Sequence, residues 1–426
     1  MAPQRACYRG STLNRCFGRR VAVVLLATLF TAPAPADILL EHINGLPGTF
    51  FNPALSGDGQ WIVWKAAQSP PVIGVQNLRT GAQALLDLHS TTGDTGLKFK
   101  AGGYLSVSYD GSRIVVGTAD DGFSVPNIAL VVDATGAEIA RLTVLAENTA
   151  PVGISNEKIL IDKSGRYVVF SVGRGLGGDS ILTSVIAGGG GDIFTSTEVT
   201  RDVFSFDTVS GDIALASVGS DGNETDNHTE ALGISDGGRY VLLWSNASNL
   251  PGEDGTLQVY VRDMTLSGFP ALEQVSVDPD GEVFSNARLS YMSDDGARVM
   301  VPRLANQSPD NLPHTYLWER GKVSRELTEY TNSDFHGRHL SGDGKWAVGG
   351  RDVFSRFNVD TGHIDTFTSA DDLSQTLLDK NPLIQSNNGN ILLFNNVSLT
   401  RPPDEDGTWW ILRYLPPDVI FRDGFE

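Results

Sequence analysis

Cysteine is nearly missing: the 426 residues hold two, Cys7 and Cys16, and both stand within the first 36. Past that point a disulfide framework, a thiolate-bound zinc and a thiol nucleophile are excluded together. Basic residues are scarce as well, 32 Lys and Arg against 51 Asp and Glu, for a net charge of -19. Such a surface repels phosphate backbones and anionic lipid, so no nucleic-acid partner is expected. The apolar run at residues 21–30 falls well short of the roughly 20 residues that a spanning helix needs, and no transmembrane segment is expected in the mature chain. Gly and Pro, by contrast, are plentiful, with 47 and 20 copies. That content breaks helices and points to turns.

The start of the chain reads as an address. Arg5, Arg9, Arg15, Arg19 and Arg20 form a basic leader without an acid. The apolar run follows, then Ala34-Pro35-Ala36, a small-x-small cleavage site before Asp37. This layout predicts a secretory signal peptide over 1–36, and hence a periplasmic or secreted protein. No Cys follows the apolar run, so there is no lipid attachment site.

One short phrase then recurs seven times. An apolar residue and a Ser lead into a turn ending in Gly, and an apolar strand follows. Ser56-Gly57-Asp58-Gly59 precedes Trp61, and Ser108-Tyr109-Asp110-Gly111 precedes Arg113. The later copies are Asp162-Lys163-Ser164-Gly165, Ser235-Asp236-Gly237-Gly238, Ser293-Asp294-Asp295-Gly296, Ser341-Gly342-Asp343-Gly344 and Ser386-Asn387-Asn388-Gly389. The turn glycines are 45 to 73 residues apart, and a period of about 40–50 with four short strands is the signature of a propeller blade. A second phrase, as in Val259-Tyr260-Val261-Arg262-Asp263 running toward Gly268, supplies the third and fourth strands. The long 73-residue spacing is assigned to a Gly-rich stretch, 173–191, read as a flexible surface loop.

These phrases, together with Ser245-Asn246-Ala247-Ser248-Asn249-Leu250-Pro251, resemble the WD-type repeats of the TolB-like propellers. The resemblance implies an exported propeller that binds partners and seldom catalyses. The expected fold is all-β: a single seven-bladed β-propeller of four-stranded antiparallel blades over 37–415, with a short tail at 416–426. Residues 409–414 can serve as the third strand of blade seven, yet no fourth strand follows. Residues 38–43 have no blade of their own, and pairing them there would close the ring and cover the open edge.

Candidate chemistry is thin. Gly233-Ile234-Ser235-Asp236-Gly237 fits the G-x-S-x-G pattern of serine hydrolases, but that pattern needs a strand-to-helix elbow. Here Ser235 is one copy of a repeated turn, so it is assigned a local hydrogen-bonding role. The Asp box of sialidase-type propellers is not matched, because Asp is followed directly by Gly. His336 and His339, with Asp334 nearby, suggest a metal site, although residues three apart on a strand face opposite sides. Asp221, Asn223 and Asp226 offer the alternating oxygens of a calcium loop without its closing Glu, since Leu232 stands there. No other cofactor is expected. Residues 369–379 read as a short helix packed on a blade. The leading expectation is a non-enzymatic binding scaffold in the cell envelope or outside the cell, for another envelope or extracellular protein or a glycan. The alternative is a propeller enzyme, a glycan hydrolase or lyase or a peptidase-like protein, with acids and His gathered at the central channel mouth.

Overall fold

The computed structural model describes residues 37–42, 51–99, 105–119, 128–146, 153–173, 180–186, 193–196, 202–252, 255–266, 271–284, 289–305, 308, 310, 312–327, 337–349, 355–366, 383–396 and 408–415. They lie in one compact unit, Ala36–Glu426, that is all-β and built as seven blades of antiparallel strands. Blade four shows the plan: Thr229–Ile234 innermost, then Tyr240–Ser245, Gln258–Asp263 and Leu272–Gln274. The expected closure is observed. Asp37–His42 pairs antiparallel with Thr408–Leu415, Asp37 opposite Leu415 and His42 opposite Trp410, and so becomes the fourth strand of blade seven. The leader, the tail and the helix expected at 369–379 lie outside the described residues.

The repeated phrase works by local chemistry. In blade six the buried Ser341 hydroxyl accepts the Trp346 N–H at 2.9 Å and donates to Asp343 at 2.6 Å. Asp343 in turn accepts the Lys345 N–H at 3.0 Å. Blades one, two, five and seven repeat this set, with Asn388 replacing Asp in blade seven. Each such bond contributes about 1 kcal/mol net. Blade three exchanges the two side chains: Asp162 accepts the Tyr167 N–H, and Ser164 donates to Asp162.

The turn glycines are required twice over. All seven have φ between 68° and 75°, where a side chain is strained. Each is also covered by the residue that opens the second strand of the preceding blade. Trp61 lies on Gly111, Arg113 on Gly165, Tyr167 on Gly238 and Tyr240 on Gly296, and Arg298, Trp346 and Ile391 cover Gly344, Gly389 and Gly59 in the same way. The turns therefore interlock around the whole ring.

The hydrophobic core is a circle of interfaces between blades and has no single centre. Val63 and Ile73 of blade one meet Ile114 and Leu130 of blade two. Phe170 and Phe204 of blade three stack with centroids 5.9 Å apart and face Val115 and Val131. Trp244 and Val259 of blade four meet Val301 and Trp318 of blade five. At the joint of blades six and seven the buried Arg356 guanidinium lies 3.5 Å from the Trp346 ring centroid and 4.0 Å from that of Tyr414.

Blade two departs from the expectation. Ser180–Ile186 and Ile193–Ser196 form a hairpin that pairs with Glu138–Ala146, Ala140 opposite Ile186, and extends that sheet to seven strands. The stretch read as a flexible loop thus turns back to cover the outer edge of the preceding blade. An uncovered edge strand exposes unpaired N–H and C=O groups, and the hairpin satisfies them.

Candidate functional site

Within the repeated turns the second position varies most, the residue after the Ser, or after Asp162 in blade three. These residues are Gly57, Tyr109, Lys163, Asp236, Asp294, Gly342 and Asn387. Their backbones are joined blade to blade. Asp58 N–H donates to Tyr109 O at 2.9 Å, Tyr109 N–H to Lys163 O at 3.0 Å, Asp236 N–H to Asp294 O at 2.6 Å and Asp294 N–H to Gly342 O at 2.7 Å. Asp343 N–H then reaches Asn387 O, and Asn387 N–H reaches Gly57 O, both at 2.8 Å. The joint of blades three and four is closed by the Gly237 N–H, which donates to the Asp162 carboxylate at 3.0 Å. This exception falls where the two atypical turns meet: Gly237 replaces Asp, and Asp162 replaces Ser.

The ring frames one mouth of the central channel, a cavity of about 480 Å³ lined by the innermost strand of every blade. Its wall is largely apolar, with Leu55, Val107, Ile161, Ile234, Met292 and Leu340 among the lining residues. At the mouth Lys163 of blade three and Asp294 of blade five pair at 2.5 Å, reaching past blade four. Lys163 also sits 5.2 Å from the ring centroid of Tyr109. Burial raises the Asp294 carboxyl above its ordinary value, and the nearby Asp236 and Asp295 push the same way while Lys163 opposes them. The glycines of the ring make room for these groups. A Cβ on Gly342 would meet Asp294 Oδ2 and Asn387 Oδ1, and one on Gly57 would strike the Tyr109 ring.

Deeper in, His339 lines the cavity with its ring centroid 4.5 Å from that of Tyr291. Its expected companions, His336 and Asp334, lie outside the described residues. Ser235 is buried and its hydroxyl accepts the Tyr240 N–H at 2.8 Å, the turn role assigned to it. In the proposed calcium loop, Asn223 donates from backbone and side chain to Asp221 at 3.1 and 2.9 Å. Asp226 instead accepts the Ser248 N–H at 2.6 Å, and Asn249 Oδ1 accepts the Asp226 N–H at 3.2 Å. Asn249 Nδ2 also donates to Asp221 at 3.4 Å, so Asp221 and Asp226 fasten their segment to residues 248 and 249. Among the described residues no group of three His, Cys, Asp or Glu is placed to hold a metal ion, and no helix is long and apolar enough to cross a membrane.

The mouth residues were visible in the sequence only as turn residues. The signal was their variability, greater than at any other position of the phrase.

Neither a known family profile nor any curated protein matches this sequence. Solved structures do resemble it. An oligogalacturonate lyase in complex with manganese is 12% identical, with 91% of this chain and 97% of that chain covered at a TM-score of 0.49. The β-propeller domain of Cps50 (Swd1) from Myceliophteria thermophila is 11% identical over 88% of this chain and 99% of that one, with a TM-score of 0.45. The WD40 repeats of RRP9 are 10% identical over 89% and 99%, at 0.44. The chain is a seven-bladed β-propeller. A shared fold does not carry a function with it.

Proposed function

We propose that this is an exported, TolB-like, non-enzymatic propeller that docks a partner protein of the envelope or extracellular space on its repeat-turn face. One observation carries the reading. The turns joining third and fourth strands point the same way as the repeated turns, because neighbouring strands are antiparallel. In three successive blades those turns expose an apolar tip: Val209 at 64%, Leu266 at 46% and Val323 at 72%. They belong to the same three blades that supply Lys163, Asp236 and Asp294 to the mouth. Apolar anchors rimmed by charge suit a protein partner, and exposed aliphatic tips in a row need covering more than isolated ones do. The basic leader and its cleavage site support export. The experiment compares the mature chain with a Val209→Glu, Leu266→Glu, Val323→Glu variant in capture from envelope extract. A partner retained by the parent and lost by an equally stable variant supports the reading, and equal retention by both refutes it.

The enzymatic alternative draws on Asp294, whose raised carboxyl beside Asp236 and Lys163 is the kind of group that donates a proton to a glycan or peptide leaving group. Turnover of an oligosaccharide or peptide that vanishes in Asp294→Asn would favour it.

A further inference from the structure

A neutral imidazole carries one N–H, yet His314 faces a carboxylate at each ring nitrogen. Nδ1 lies 2.5 Å from Glu326 Oε1, and Nε2 lies 3.0 and 3.1 Å from the two oxygens of Asp310. Both contacts are hydrogen bonds only when both nitrogens hold protons, so this geometry belongs to the imidazolium. The three residues come from separate parts of blade five. Asp310 stands in the connector between the second strand, Arg298–Arg303, and the third, His314–Glu319. His314 opens that third strand, and Glu326 belongs to the outermost one, Arg325–Glu326. The ring therefore ties the connector to the outer edge of its blade.

The other groups around the ring leave the two carboxylates in charge of it. Arg303 stands opposite His314 on the second strand, but it pairs with Asp278 at 3.8 Å, so those two charges offset each other. Tyr316 stacks on His314 with centroids 6.2 Å apart and is uncharged, its phenol raised above the ordinary value by burial. Burial opposes a charge on His314, yet the bonds to Glu326 and Asp310 outweigh it and raise the imidazole. The His314 bond, helped by the Leu312 N–H and the Ser308 hydroxyl, holds the exposed Asp310 well below the usual carboxylate range.

We propose that His314 is a pH-operated clasp: protonated, it fastens the Asp310 turn to the outer strand, and neutral, it lets that turn go. On losing a proton the ring keeps one N–H. The nitrogen facing Glu326 retains it, because that carboxylate is 19% exposed and Asp310 is 47% exposed, so water compensates Asp310 more readily. The Nε2 lone pair is then left against the Asp310 carboxylate, which repels it. The connector so released carries Leu304 and Leu312, both exposed. The fastening is complete below the ordinary imidazole value of 6.5 and is lost as pH rises through the raised one. The clasp lies at the end of the blades opposite the repeat turns and does not depend on the docking of a partner there.

The test follows the His314 ring by NMR through a pH titration of the mature protein, its signal identified by its loss in His314→Asn. The Leu312 amide, which donates to Asp310 Oδ1 at 3.0 Å, reports on the connector through its hydrogen-exchange protection relative to an unstructured peptide at each pH. The expected midpoint lies above 6.5, and Leu312 protection falls through it, by about tenfold for each pH unit of that displacement. Asp310→Asn and Glu326→Gln should each move the midpoint down, and in Asp310→Asn the fall in protection should disappear. A midpoint at or below 6.5 overturns the proposal, as does one that neither variant moves. Leu312 protection that stays flat through the midpoint, or falls equally in Asp310→Asn, overturns it too.

Discussion

The two ends of the blades are built on different principles. Where first strands turn into second strands, seven four-residue turns share one hydrogen-bond pattern, and each rests on the blade before it. At the opposite end, second strands leave for third strands and each blade passes to the next; there the connectors after blades three and four share a plan, Ser217 and Ser276 accepting the Val203 and Val259 N–H, while other side-chain networks differ among the described blades. Asp202 is buried among Ser217 and Thr225, and Thr225 bonds to Thr229, which bonds to Ser245. His314 is held between Glu326 at 2.5 Å and Asp310 at 3.0 Å. Burial lowers its pKa, but those two carboxylates outweigh the effect and raise it above its ordinary value. One pattern copied in all seven blades secures the first end, and networks that differ among the described blades contribute to the second. The most variable position at the repetitive end, the second of each turn, is where the channel mouth is made.

The largest expected effect comes from opening the ring. Deleting residues 37–42 leaves the Asn387 N–H to Gly57 O bond at the repeat end in place but strips the outer strand from blade seven. If the turn ring alone held blades seven and one together, the variant would melt like the parent. We expect a loss of several kcal/mol and aggregation, because the bared edge of Thr408–Leu415 recruits other chains. Thermal unfolding with light scattering measures both.

A second prediction sets one glycine against another. Gly296 (φ 68°) and Gly222 (φ 85°) both adopt the left-handed conformation. A Cβ on Gly296 would fall 2.3 Å from the Tyr240 ring, whereas one on Gly222, in the opposite end's connector, meets nothing within 4 Å. Gly222→Ala should cost about 1 kcal/mol, the backbone penalty alone. Gly296→Ala adds displacement of a packed ring and should cost about 3 kcal/mol or more. Equal melting shifts would show that the turns do not interlock.

This contrast also explains what the sequence disclosed. The fold was legible because each Ser-x-Asp-Gly turn is determined by bonds within six residues, from Ser56 to Trp61 for example, and local chemistry repeats visibly. Closure by Asp37–His42 could be inferred because one blade lacked a strand and one strand lacked a blade. The hairpin Ser180–Ile186 and Ile193–Ser196 could not, since its partner Glu138–Ala146 belongs to the previous blade and its register answers to a distant edge. The mouth was only half legible. Lys163 and Asp294 lie 131 positions apart in the chain, and nothing local to either one indicates that they meet.

The smallest effect concerns the serines of the turns, and here two copies of one residue should differ. Ser341 accepts the Trp346 N–H and donates to Asp343, so it holds two bonds within its turn. Ser235 accepts the Tyr240 N–H, but Gly237 stands where its acceptor would be, and its hydroxyl finds only Asp236 O at 3.5 Å. Ser235→Ala should therefore cost about 1 kcal/mol at most and Ser341→Ala somewhat more, at roughly 1 kcal/mol for each bond removed. The same geometry bears on catalysis. A serine nucleophile needs a base positioned to take its proton, whereas the near neighbours of the Ser235 hydroxyl are the backbone N–H of Tyr240 and the carbonyl of Asp236. A fluorophosphonate probe should leave the folded chain unlabelled. Labelling that disappears in Ser235→Ala and persists in Ser341→Ala would show that this one turn has left the repeat and become an active site.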